Sequence, residues 1–137
     1  MAHLTHVAAP EGVVPGTGYS HVVWGEGRFV AVSGQISVDA AGELVGPGDP
    51  AAQARQVFAN LDRCLASAGA GWGDVVKLTF FVTDVAFLPA VREARDAYVD
   101  TERPPASSAV QVAALIRPEL LLEVEAFAIV PDPAARS

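Results

Sequence analysis

Residues 104–128, PPASSAVQVAALIRPELLLEVEAFA, decide how this chain must be read. A Pro-Pro pair opens the stretch, two apolar strand-like segments follow, and Arg117-Pro118 breaks them apart. In the second segment, alternation sets Leu121, Glu123, Glu125, Phe127 and Ile129 on one face. Leu120, Leu122, Val124, Ala126 and Ala128 fall on the other. Both faces are greasy, the mark of a strand buried on two sides. The exceptions are Glu123 and Glu125, which point the same way about 7 Å apart at ~3.4 Å per residue. A carboxylate there is costly unless it is paired, hydrogen-bonded or facing a polar cavity. Two readings stay open on strand position alone. The pair does acid/base work, or each glutamate meets a cation across the sheet, with Lys77 the obvious one.

Working outward, Val75 to Thr83 is a second such strand, rich in β-branched and aromatic residues, with Lys77 and Thr79 on one face. A helix is expected over about Phe87 to Asp100, ended by Arg103-Pro104-Pro105, which leads into the opening stretch. The inner side of the helix carries Phe87, Val91, Ala94 and Tyr98, and its outer side Arg92, Glu93, Arg95 and Asp96. An earlier helix starts at Asp49-Pro50, a cap followed by a proline at the first helical position. Its stripe is Ala54, Val57, Phe58, Leu61, Leu65 and Ala68, and Gly69 and Gly71 end it. Before it, Leu4 to Ala8 reads as a short strand. Tyr19 to Gly25 and Arg28 to Ser33 read as a hairpin closed at Glu26-Gly27, and Asp39 to Gly42 as a further turn. Pro131 to Ser137 is expected to fray.

The order is β-β-β-α-β-α-β-β over a single domain, residues 1–137. Two helices then cover one face of a mixed sheet of about five or six strands, a two-layer α+β sandwich. No helix is left for the second apolar face, so self-association is expected.

Composition narrows the function classes. A formal net charge of −7 with 9 Lys+Arg and no basic run disfavours nucleic acid as a partner. No apolar run approaches the ~18–20 residues that span a bilayer, and the N-terminus lacks a signal-peptide pattern. The single cysteine, Cys64, allows no intrachain disulfide, in keeping with a reducing, cytoplasmic setting. No metal is expected: His3 and His6 have usable spacing, but no further ligand joins them. No phosphate-binding glycine loop is present either.

Tyr19, Ser33 and Ser107 sit at strand ends or beside loops, where side chains can line a cleft. Taken one at a time, each reads equally as a surface hydroxyl, and Arg92 as part of a solvated helix face.

In combination, several motifs resemble the Rid family of reactive intermediate deaminases, also called YjgF-like. They are Gly18-Tyr19-Ser20, Val32-Ser33-Gly34-Gln35-Ile36, Gln53-Ala54-Arg55-Gln56, Gly73-Asp74-Val75-Val76-Lys77, Pro105 to Val110, and Leu122-Glu123-Val124-Glu125-Ala126. The resemblance implies a chorismate-mutase-like fold assembled as a homotrimer, with clefts between subunits and no cofactor or metal. Its well-known members hydrolyse imines and enamines to 2-oxo acids and ammonia. By motif, Tyr19 is the cleft tyrosine, Ser33 the serine of the Ser-Gly-Gln element, and Glu123 the carboxylate that handles water. One position departs. Where the family carries Pro-Ala-Arg-Ser, this chain reads Pro105-Ala106-Ser107-Ser108, so Ser107 replaces the arginine that clamps a substrate carboxylate.

A neutral hydroxyl supplies neither the charge nor the bidentate geometry of that clamp. The resemblance with this departure implies a trimer that binds or processes a small imine, enamine or related carbonyl compound. Ordinary 2-imino acids are disfavoured as substrates. Arg92 could reach the cleft from another wall, with Arg103 and Arg117 weaker candidates. The alternatives are a non-catalytic ligand-binding or chaperone-like member and, less favoured on charge, a ribonuclease.

Overall fold

Asp49 caps the first helix as its sequence predicts: its carboxylate accepts from the Ala52 amide at 3.1 Å, and Pro50 occupies the first turn. The computed structural model describes residues 3–133, and the rest of the C-terminal tail, for which the sequence predicts fraying, lies outside the described residues. Eight elements follow in the expected order. They are β1 (Thr5–Val7), β2 (Val22–Trp24), β3 (Arg28–Gln35), α1 (Pro50–Ser67), β4 (Val75–Val82), α2 (Leu88–Asp96), β5 (Ala106–Gln111) and β6 (Leu122–Val130).

The main sheet runs β3-β6-β4-β5, with β4 and β5 parallel and the other pairs antiparallel. Strand pairing departs from the expected sheet in one respect. β2 pairs with β1, Thr5 opposite Trp24, in a separate two-stranded sheet, and β3 pairs with β6 instead of closing a hairpin on β2. Long-range burial outweighs the local turn: Val30 and Val32 lie opposite Ala128 and Ala126 on the inner face of β6. A β2–β3 hairpin would leave that match unmade. The two sheets are tied at the start of β5, where Ser20 donates from its amide to Pro105 O and from Oγ to Pro104 O at 2.6 Å. Arg103 reaches back to Leu4 O at 2.9 Å.

The core lies between the sheet and the helices. Val57, Phe58 and Leu61 of α1 pack on Leu78, Phe80 and Val82 of β4 and on Leu122, Val124 and Ala126 of β6, all buried. Gln53 is the polar exception in the buried stripe of α1. Its Nε2 donates to Gly46 O and Glu119 O, each at 3.1 Å, and its Oε1 accepts from Leu121 N at 2.9 Å. It thus pins the entry to β6. The opposite sheet face carries Phe81, Phe127 and Ile129, all half-buried, and Phe29, which is 64% exposed and stacks on Phe127. No helix of the described residues is long and apolar enough to cross a membrane.

Candidate functional site

The sequence-predicted residues separate into two groups. On the open face of the sheet, Glu123 stands opposite Phe81, and Glu125 opposite Thr79. The β3–β6 register slips between Val32 and Gln35, so Ser33 and Gly34 form an irregularity beside the glutamates. Gly34 is required there. A Cβ at this position would run into the carboxylate and Cγ of Glu123. The Ser-Gly-Gln element therefore makes a floor on which Glu123 lies flat.

Lys77 does not pair with either glutamate. It stands opposite Phe127, and its Nζ donates to Ser108 Oγ at 2.9 Å. Among the described residues neither Glu123 nor Glu125 has an ion-pair or hydrogen-bond partner for its carboxylate.

The second group lies behind the edge strand β5. Ser107 is in register with buried Leu78, so it faces the helix layer and not the glutamates. Thr17, Tyr19, Arg92, Arg95 and Ser107 line a cavity of about 190 Å3, whose apolar floor is Phe80 and Leu88. Tyr19 arrives there because Ser20 is fastened to the start of β5. Within one chain, then, the Ser33–Gly34 irregularity lies beside Glu123, and Tyr19, Arg92 and Ser107 line one cavity. A single site holding all five is not formed, since β4 separates β6 from β5 and the groups face opposite sides, strands lying about 5 Å apart.

Arg95 corrects the expected helix faces. It is 6% exposed, not solvated: Nε and Nη2 donate to Asp96 Oδ1 at 3.0 and 2.7 Å, and Nη1 donates to Gly18 O at 2.6 Å. Gly18, at φ +79°, leaves the room for this approach, since a Cβ there would come within 3.3 Å of Arg95 Nη2. The signal was in the helix phase, because Arg95 follows buried Val91 by four residues and so falls on the same stripe.

A separate cavity of about 290 Å3 is lined by His3, His6, Trp72, Asp74, Asp100 and Arg103. The His3 ring faces Ile129 O at 2.6 Å and Asp74 at 3.6 Å, and His6 Nδ1 faces Arg103 Nη2 at 3.3 Å. Burial, and then the Arg103 charge, hold the His6 imidazole below its ordinary pKa. Arg103 is thus occupied at the N-terminal hairpin and lies away from Tyr19 and Ser107.

Comparison with known proteins decides the family. The Endoribonuclease L-PSP family model matches residues 10–130. The 2-iminobutanoate/2-iminopropanoate deaminase of Escherichia coli is 38% identical over 106 residues, covering 75% of this chain and 80% of that protein. This chain belongs to the Rid (YjgF-like) family. A RutC family protein of Synechocystis is 36% identical over 124 residues, covering 90% of this chain and 92% of its own length. Among solved structures, the Rid-family protein YyfB of Yersinia pestis superposes with a TM-score of 0.83 at 40% identity, covering 93% of this chain and 99% of that one. RidA of an Antarctic Psychrobacter gives 0.69 at 36% identity, covering 93% and 98%. The Rid fold accounts for both layers and for the mixed sheet described above.

Proposed function

We propose that this Rid-family chain forms a homotrimer and binds or processes a small imine, enamine or related carbonyl metabolite in a cleft between subunits. Glu123 positions or activates water there, and Tyr19, Ser33, Ser107 and Arg92 line the cleft. The observation that carries this reading is Glu123 itself. It is a half-buried carboxylate on an apolar sheet face, seated against Gly34, with no partner for its charge among the described residues. Such a group is costly to keep without a task. A second copy laid on the open sheet face would cover Phe29 and Phe127. It would also bring its own Tyr19, Arg92 and Ser107 toward Glu123. No metal or cofactor is called for, and the setting is cytoplasmic.

In this reading Ser107 stands where the resemblance implies an arginine, and that departure separates the chain from ordinary 2-imino acid deamination. Purified protein is expected not to speed hydrolysis of freshly generated 2-iminopropanoate as the Escherichia coli relative does; robust turnover would sink that inference. Ser107→Arg should gain imine binding or turnover. The same serine favours a second reading, a ligand-binding or chaperone-like trimer without catalysis. Glu123→Ala separates the two: an enzyme loses turnover, whereas a binding module keeps its activity. Light scattering checks the trimer, and a monomer at micromolar concentration would remove the intersubunit cleft. Ribonuclease activity is the less favoured reading, because a net charge of −7 gives poor phosphate affinity.

A further inference from the structure

Residues 15–19 make one hydrogen bond among the described residues, from Arg95 Nη1 to Gly18 O at 2.6 Å. Two of the five, Gly16 and Gly18, are glycines, so this loop loses more backbone freedom on ordering than most and needs a tether. The tether is a buried arginine, 6% exposed. A buried ion pair is often no better for stability than an apolar side chain of similar volume. The charge of Arg95 is met by Asp96 at 2.7 Å, so its guanidinium is not a free cation. What an apolar residue could not supply at this position is direction, a donor aimed from α2 at one carbonyl of the loop.

Tyr19 stands between two anchors. Before it, Gly18 O is held to α2 by Arg95; after it, Ser20 is held to Pro104 O and Pro105 O at the start of β5. Its ring is confined as well. It lies on Gly16, where a Cβ would run into it, and meets the His21 ring edge-on with centroids 5.2 Å apart. The His21 ring is fixed in turn by Val14 O at 2.8 Å. We infer that Arg95 is the positioning residue for Tyr19: it fastens residues 15–18 to α2 and so sets where the tyrosine ring stands in the cavity behind β5. This deepens the small-carbonyl reading above, on whose cleft tyrosine it rests, and concerns neither the ligand's charge nor the reaction. Ser20 by itself holds Tyr19 from one side only. Without Arg95 the glycine-containing segment before Tyr19 is released, and the ring leaves its seat on Gly16.

The test is fluorine NMR on the full chain labelled with fluorotyrosine. The sequence holds two tyrosines, Tyr19 and Tyr98, so Tyr98→Phe assigns both signals. Tyr98 stacks on Phe58 and accepts no part in the loop, so its signal reports on the seating of α2. Arg95→Met should stay folded, because the Asp96 side chain is 45% exposed and keeps its water. In that variant the Tyr19 signal should move most of the way to the shift of free fluorotyrosine, while the Tyr98 signal stays. Arg95→Lys, which can still donate one bond to Gly18 O, should bring the Tyr19 signal part of the way back. Gly18→Ala presses on the same contact from the loop side, at a φ of +79° with its Cβ 3.3 Å from Arg95 Nη2, and should displace Tyr19 with α2 untouched. An unmoved Tyr19 signal in Arg95→Met, a Tyr98 signal that moves with it, or no recovery in Arg95→Lys would each overturn the inference. Should Arg95→Met fail to fold, Gly18→Ala decides, and an unmoved Tyr19 signal there overturns it. The spectra need no substrate, so a displaced Tyr19 in a protein without turnover on any imine keeps this assignment and sinks only the catalytic reading. Turnover with an unmoved Tyr19 does the reverse.

Discussion

Gln53→Met removes the one polar side chain in the buried stripe of α1 while keeping its volume, and its cost follows from three hydrogen bonds. Leu121 N would lose its acceptor, and Gly46 O and Glu119 O would lose their donor. Each bond is worth about 1 kcal/mol net, and a buried group left without a partner costs about 1–3 kcal/mol. The two carbonyls belong to partly accessible loops, so water offsets some of their loss. The change should therefore cost about 3 kcal/mol. For a chain of 137 residues, each kcal/mol moves Tm by roughly 3–4 °C, so a fall of about 10 °C is expected. Thermal and urea unfolding by circular dichroism, at one fixed protein concentration so that the proposed trimer does not shift Tm between variants, provides the measurement. Gln53→Glu is the informative companion: it keeps an acceptor for Leu121 N but turns a negative oxygen toward two carbonyls, and should cost at least as much. A loss below about 1 kcal/mol for both variants would refute the claim that Gln53 pins the entry to β6.

Three further outcomes are expected. Gly34→Ala introduces a Cβ against the end of the flexible Glu123 side chain, so folding should suffer by less than about 1 kcal/mol. Glu123 should swing away, and any activity that depends on it should fall as in Glu123→Ala; a variant with unchanged Glu123 placement by crystallography contradicts this. Phe58→Ala empties a fully buried position between α1 and β4 and should cost about 3–5 kcal/mol by urea unfolding. For His6, the folded pKa lies below its unfolded value near 6.5. The neutral ring therefore contributes stability that is present above about pH 6.5 and is lost as pH falls through the folded pKa. His6→Gln should flatten the Tm–pH curve below pH 6.5, and an identical slope in both proteins would show that His6 is not responsible.

Much of the fold was legible because its signals are local. The Asp49-Pro50 start and the apolar stripe of α1 needed only helical spacing, and the alternation of Leu120 to Val130 needed only strand spacing. Family resemblance, in turn, singled out Glu123 and Ser107 where strand position alone left alternatives open. The misread elements share one cause. The partner of β3 was settled by Val30 and Val32 matching Ala128 and Ala126 about a hundred residues later, and no local turn signal competes with that burial. The faces of α2 were divided by chemical type, so Arg95 went to solvent. Its burial depends on Asp96 and on the carbonyl of Gly18, a contact across 77 residues.

The opening stretch shows the same division within itself. Its sequence alone determined that a strand apolar on both faces carries two carboxylates on one of them, since side chains alternate along any strand. Only the tertiary structure decided what those carboxylates face. The register with β4 turns Lys77 to Ser108 and leaves Glu123 on the Gly34 floor, while the register with β5 turns Ser107 to the opposite side, beside Arg92. Which face a residue occupies relative to another strand is a property of pairing, and pairing is set by burial across the whole sheet.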